Sequence, residues 1–253
     1  MMEKFSPPFL LLLLAVVGII LSLAGCQSAA AGCGGAASFA DMTVVRGVDY
    51  LPVAIGSRSA GRAITEADLG PAFDSITVSL GCSPPAQGNY STRFPVGTKL
   101  YALKGYLPSF RLAVKQAQAI LLLEAQRNPH ATRGGELLDL DKKVHSIIVY
   151  KQGTPTAPIA TIEDAKQVVV LIALLDEAPI RHGNNAGDTL DILEFHLSDG
   201  TFSSLLYDPK TGWTDKNILL PPAFATLLEK AGRSGATTLT LPQMWRTTNL
   251  LPR

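Results

Sequence analysis

Cysteine, histidine and tryptophan are scarce in this sequence, and each shortage removes a class of chemistry. Three cysteines, four histidines and two tryptophans occur among 253 residues. The histidines, His130, His145, His182 and His196, stand apart from one another and from the cysteines, so no zinc-type ligand spacing forms and no metal is expected. An excess of charge of one sign is also missing. The chain carries 22 basic and 21 acidic side chains, and its longest basic run is Lys142-Lys143. That balance gives no electrostatic footprint for nucleic acid. Catalytic and cofactor signatures are absent too. No Gly-x-Ser-x-Gly elbow occurs. Val96-Gly97-Thr98-Lys99 lacks the second glycine ahead of a Gly-Lys-Ser/Thr ending that a phosphate loop needs. No cofactor is therefore expected.

The front of the chain is informative. Lys4 is followed by a short spacer, then by Phe9 to Leu23 without one charged side chain, then by Leu23-Ala24-Gly25-Cys26. Basic start, apolar middle and small-residue exit are the order of a secretory signal. The closing four residues resemble the lipobox of bacterial lipoproteins. That resemblance implies a diacylglyceryl group on the Cys26 thiol, a mature chain starting there, and a lipid anchor on the extracytoplasmic face of the cell membrane. A plain transmembrane helix competes, but a span needs about 20 apolar residues and this block is closer to a signal core. With Cys26 in a thioether, Cys33 and Cys82 remain as a pair able to bridge in an oxidising exterior, or to stay free. Gln27 to Ala40, QSAAAGCGGAASFA, has too little bulk to offset its ordering entropy and reads as a tether. The expected organisation is a signal at 1–25, a lipidated tether at 26–41, a β-rich domain at 42–127, a linker at 128–142, an α+β domain at 143–232 and an irregular tail at 233–253.

In the first domain, Thr43 to Tyr50 reads as a strand broken at Gly47. Thr65-Glu66-Ala67-Asp68 reads as a capping box opening a short helix that Gly70-Pro71 stops. Ser75 to Leu80 alternates Ile76, Val78 and Leu80 with serines and threonine, the period of a half-buried strand. Lys99 to Lys104 reads as a strand between two glycine turns. Phe110 to Arg127 admits two readings. Helix propensity favours one long helix. The alternative is a hairpin turning near Gln116 to Gln118, without the glycine or asparagine such turns prefer.

Gly97-Thr98-x-x-Tyr101, Lys104-Gly105-Tyr106 and Phe110-Arg111-Leu112-Ala113 together resemble a motif, GTxxYxxKGYxxxFRLA, of uncharacterised secreted and lipid-anchored proteins of Gram-positive and related bacteria. Gly47 and Tyr50 match its preceding strand, while Arg46 stands where the family has an aromatic. The resemblance implies a β-rich first domain, hence the hairpin at 110–126, and carries no catalytic residues.

In the second half, Val144 to Tyr150 reads as a strand. Thr161 with Asp164 reads as a capping box before a buried helix over Glu163 to Asp176, with a strand as the alternative because its interior is so rich in valine. Asp191 to His196 and Thr201 to Tyr207 read as a hairpin around Ser198-Asp199-Gly200. Pro221-Pro222 opens a last helix, with Gly232 as its cap. The expected fold class is α+β: antiparallel sheets in two small domains, the first β-rich and the second ordered strand, helix, hairpin, helix.

Candidate functional residues are few. Tyr90, Phe94, Tyr101, Tyr106 and Phe110 gather around one strand and suit either a peptide, glycan or protein surface or the domain's own core. Asp188, Asp191, Glu194 and His196 fall close together, and Glu194 and His196 would share a strand face as an acid/base pair, but charge pairing on an exposed sheet face is the favoured account of them. Asp139 and Asp141 supply too few oxygens for calcium, which takes roughly six or more. These observations point to a non-enzymatic binding module at the cell envelope, with an envelope hydrolase, and then a solute-capture protein, as alternatives.

Overall fold

The computed structural model describes residues 41–53, 61–78, 87–117, 119–181, 183, 187 and 190–235. Cys26, Cys33 and Cys82, and with them the lipidation and disulfide expectations, lie outside the described residues, as does the tail beyond Gly235. The described residues fall in one compact unit.

The fold is α+β and built on antiparallel sheets. Strands β1 (Thr43–Val45), β2 (Val48–Pro52), β3 (Leu69–Ser75), β4 (Tyr90–Ser91), β5 (Lys99–Leu103), β6 (Arg111–Lys115) and β7 (Ile120–Arg127) form a sheet in the order β3-β5-β6-β7-β2-β1-β4. Strands β8 (Val144–Lys151), β9 (Thr154–Ile162), β10 (Asp191–Leu197) and β11 (Phe202–Tyr207) form the second, in the order β11-β10-β8-β9. Helices α1 (Gly134–Leu137), α2 (Ala165–Glu177) and α3 (Pro222–Gly235) complete the set.

The stretch at 43–50 is two strands, not one. Arg46 and Gly47 both have positive φ, 51° and 81°, the geometry of a two-residue hairpin turn. Arg46 is held there by Asp74, 2.7 Å away, and lies 4.3 Å over the Phe73 ring. The Thr65 box forms, with the Asp68 carboxylate accepting from the Thr65 amide at 2.8 Å, but it opens only the 3-10 turn Glu66–Asp68. Gly70-Pro71 then runs inside β3. The strand expected at 75–80 is displaced. β3 ends at Ser75, and the next amides bond to loop carbonyls, Ile76 to Thr98 and Thr77 to Asn89.

Residues 111–127 form the hairpin, with Arg111 opposite Glu124 and Lys115 opposite Ile120. Its loop is closed by the Gln116 amide on the Ala119 carbonyl, which explains how the turn manages without a glycine pair. β6 is buried on both faces. Phe110, Leu112 and Val114 enter a core shared with Leu137, Ile147, Phe195 and Phe224, while Ala113 joins a smaller cluster with Ile64, Leu69, Leu103 and Leu122.

The main core therefore draws on both halves of the chain. Residues 128–142 carry α1 with Leu137, Leu138 and Leu140 all fully buried, so this stretch packs as part of the core. Gly134 lies so close to the Leu175 carbonyl that a β-carbon would collide with that oxygen. Helix α2 starts at Asp164, whose carboxylate accepts from the Gln167 amide at 2.9 Å; Thr161 is claimed by β9 and cannot cap. The helix buries Val168, Leu171, Ile172 and Leu175 on one face and leaves Val169 and Val170 exposed, so it is not buried all round. α3 runs through Gly232 to Gly235.

One strained group sits where α1 meets α2. Asp176 Oδ1 is the only buried side-chain oxygen among the described residues without a hydrogen-bond partner. Burial, then Asp141, Glu177 and Asp139, push its carboxyl up to about 6, against a weaker opposing pull from Lys143. A raised carboxyl favours the protonated fold. Its contribution to stability is complete below about pH 4 and is lost as pH rises through about 6. The full shift would correspond to about 3 kcal/mol. Half-exposure and solvent screening reduce this to about 1 kcal/mol. Asp176→Asn should therefore raise the urea midpoint at pH 8 and leave it unchanged at pH 4. An equal change at both pH values would refute the assignment.

Candidate functional site

A concavity forms where α3 lies across β9, the edge strand of the second sheet. In the β8–β9 ladder Val149 pairs with Ala160 but Tyr150 with Pro158, so Ile159 is an extra, bulged residue. A bulge breaks the alternation of side chains and re-aims one of them. Here Ile159 and Ala160, adjacent in sequence, line one hollow, with Ile159 53% exposed. That hollow, about 390 Å³, is walled by Val149, Asp191, Tyr207, Pro209, Ala225, Leu228 and Glu229. A neighbouring hollow of about 500 Å³ uses Pro179, Lys210, Leu219, Leu220, Pro221 and Pro222 and shares Tyr207, Pro209 and Ala225 with the first. Together they make a groove with a mostly apolar floor and acids at one end.

The polar rim is fixed in place. Asp191 is buried and takes a bond from Lys151 Nζ at 3.1 Å. Asp208 accepts from the Gly187 amide at 2.8 Å, the Lys210 amide at 2.9 Å and the Thr211 hydroxyl at 2.8 Å, which freezes the turn at 208–212. Burial alone would raise the Asp208 carboxyl, but these bonds outweigh it and hold it below its ordinary value. Burial, then Asp191, Asp208 and Glu229, push the Tyr207 phenol up to about 12. Tyr207 thus stays a neutral donor in an electronegative setting. Size, apolar lining and a few convergent polar groups are what a pocket for an apolar ligand needs.

A second polar assembly is buried. Glu124, 4% exposed, receives Arg111 Nη2 at 2.9 Å on one oxygen, and Lys216 Nζ and the Ser203 hydroxyl, each at 2.7 Å, on the other. Arg111 also donates to Thr201 Oγ1 at 2.9 Å and the Phe202 carbonyl at 2.6 Å, and lies 4.8 Å over both the Tyr106 and Phe110 rings. Lys216 donates again to the Ala125 carbonyl at 2.8 Å. Burial would raise the Glu124 carboxyl; Lys216 and Arg111 outweigh it and leave it below the usual carboxylate range. Thr201 passes the network to Asp199 at 2.7 Å, which Tyr106 reaches at 2.9 Å. With every member satisfied, the network locks β6–β7 to β11 and the segment before α3.

The sequence-derived candidates are dispersed. Tyr90, Phe94 and Phe110 are buried, so they serve the core and offer no contact surface. Tyr101 and Tyr106 are half-buried; Tyr101 sits 5.0 Å from Lys115 Nζ, and Tyr106 is committed to Asp199. Glu194 and His196 do pair, at 2.7 Å, with the His145 ring 6.1 Å from that of His196, but neither lines either hollow of the groove. Asp139 is occupied as a brace, bonding Lys143 Nζ at 2.5 Å and the Leu107 amide at 2.8 Å. No group of three metal-ligating side chains occurs among the described residues. Sequence reasoning missed Arg111, Glu124 and Lys216. The available signal was a single charge inside each of two apolar strands, FRLAV and ILLLEA.

Fold and groove define a two-sheet antiparallel α+β protein with an apolar surface cleft. Compared with known proteins, the chain matches no family model, no curated protein and no solved structure.

Proposed function

We propose that this chain is a lipid-anchored, extracytoplasmic binding module of a bacterial cell envelope. The groove between α3 and the bulged edge of β9 carries the binding half of this reading, because its two hollows, about 390 and 500 Å³, are each of ligand size and mainly apolar. The anchoring half rests on the uncharged block Phe9 to Leu23 and the small-small-Cys ending at Cys26. The motif from Gly97 to Ala113, with its likeness to secreted and lipid-anchored bacterial proteins, supports the same address. The partner is an envelope protein, peptide or glycan reached from the membrane surface. An envelope hydrolase is the second reading, favoured by the Glu194–His196 pair at 2.7 Å.

Ala225 lines both hollows, and arginine there keeps helix propensity while filling the cleft. The full chain, tagged and incubated with envelope fractions, should retain a component that Ala225→Arg loses at least tenfold and His196→Ala does not. Retention that survives Ala225→Arg but fails with His196→Ala would move the site to the Glu194–His196 face.

A further inference from the structure

We propose that a second recess, separate from the groove and independent of its role, holds one ring of a neutral carbohydrate. It lies where β2 and β7 of the first sheet meet β11 and Asp215. Its volume, about 220 Å³, falls below the roughly 300–1,000 Å³ of pockets for drug-sized ligands, which limits the occupant to a single ring. Three polar side chains line it with bonding capacity to offer. Gln126 is an extra residue in β7, because Asp49 pairs with Arg127 and Tyr50 with Ala125. Such a bulge re-aims a side chain. The Gln126 carboxamide lines the recess and makes only a 3.5 Å approach to the Glu124 carbonyl, too long for a firm bond. Ser204 is exposed, and among the described residues its hydroxyl has no hydrogen-bond partner. Asp215 accepts from the Leu206 amide at 3.1 Å through Oδ1, while its second oxygen meets no donor from another residue. That carboxylate is accessible to solvent yet closely surrounded, so that burial, opposed by Lys216, raises it above its ordinary value. An open acceptor in such a setting makes a stronger hydrogen bond than one in bulk water.

Charge and donor matching select the ligand class. Arg111 and Lys216 stand against Glu124 and Asp215, two cations against two carboxylates, so the surroundings of the recess are already balanced. An anionic ligand would meet both carboxylates while both cations are committed to Glu124. An ammonium has three donors and no acceptor, and would leave the donors of Gln126 and Ser204 unmatched. Hydroxyls on adjacent ring carbons each donate and accept, which suits an acceptor-only carboxylate, a carboxamide and a hydroxyl together. The rest of the lining includes Leu51, Pro52 and Phe202. These apolar groups complement the C–H face of a pyranose, as the polar three complement its hydroxyls.

The test uses the full chain and the methyl glycosides of glucose, galactose, mannose and N-acetylglucosamine, with binding read by saturation-transfer NMR and titration. At least one glycoside should bind with a millimolar Kd. Asp215→Asn keeps an oxygen for the Leu206 amide and replaces the open oxygen by an NH2 group, so it should weaken that binding at least tenfold. Ser204→Ala, on an exposed side chain, should weaken it severalfold and serves alone if Asp215→Asn shifts the circular dichroism or the unfolding midpoint. Ala225→Arg, in the groove, should leave it unchanged. If none of the glycosides binds, or if binding ignores Ser204→Ala and a folded Asp215→Asn alike, the assignment is wrong. Binding of butylammonium without any glycoside, abolished by Asp215→Asn, would make the recess an ammonium site instead. Glycoside binding lost with Ala225→Arg and kept with Asp215→Asn would place the sugar in the groove and overturn the second site.

Discussion

Glu124→Ala is expected to cost about 3–5 kcal/mol of folding stability, the range for removing one partner of a buried ion pair. A domain of this kind has only about 5–15 kcal/mol in total. The loss is large because of what remains. Arg111 at 0% exposure and Lys216 at 2% would face each other across a cavity with no carboxylate between them. Arg111 would retain Thr201 and the Phe202 carbonyl, and Lys216 the Ala125 carbonyl, but those neutral acceptors do not compensate two desolvated cations. Glu124→Gln keeps the shape and some of the hydrogen bonds and should lose less. Urea unfolding followed by circular dichroism measures both. A Glu124→Ala midpoint within about 0.5 kcal/mol of the parent, typical of a surface change, would contradict the assignment.

The same carboxylate sets an acid limit. Because its folded value lies below its ordinary one, its stabilisation is fully present above the unfolded carboxylate range and lost as pH falls through the lower folded value. Parent protein should therefore lose stability steeply below about pH 4, and Glu124→Gln should flatten that limb. Asp176 acts with the opposite sign near pH 6. The two variants should thus change opposite ends of the pH profile.

Much of the fold is readable where one pattern suffices. The hairpin at 191–207 follows from alternation and the Asp199-Gly200 turn, and the helix at 165–177 from its length, although its cap is Asp164 and not the expected Thr161. The misreadings occur where a residue answers to a distant partner. Ser75 to Val78 alternates as a strand would, yet the amides of Ile76, Thr77 and Val78 are claimed by Thr98 and Asn89. Residues 128–142 look polar by count, but their three leucines are drawn into a core built from both halves. Aromatics near one strand in sequence were divided by the pleat and by depth: Phe110 went into the core and Tyr106 to a polar network. The groove was not legible at all, because it depends on a one-residue bulge opposite Tyr150 and on where α3 crosses it. The buried charges were visible as residues but not as a site. Pairing Arg111 with Glu124 requires the register of the hairpin, and Lys216 joins from 92 residues away.

On the proposed anchor, Cys26→Ser should abolish membrane retention almost completely. Serine differs from cysteine by one atom, so the uncharged block ahead of it and the tether behind it are unaltered as sequence; only the thioether is removed. Each buried methylene contributes about 0.8 kcal/mol, and one acyl chain alone binds a membrane only marginally, so a stable anchor needs more than one chain. A diacylglyceryl thioether meets that requirement at a single residue. Metabolic labelling with a radioactive or alkynyl fatty acid, followed by separation of membranes from soluble material, gives two independent readouts. The parent should be labelled and sediment with membranes after a high-salt wash, which strips electrostatic attachment; its 22 basic and 21 acidic side chains give little of the latter to begin with. The variant should be unlabelled. If it is unlabelled but still sediments, the block from Phe9 to Leu23 is holding the chain as a span and the lipid is dispensable. If it is still labelled, the acyl group sits elsewhere and Cys26 is not the anchor. Only joint loss of label and retention supports the thioether, and it would place the groove on a tether whose 14 residues, Gln27 to Ala40, extend up to about 50 Å from the bilayer.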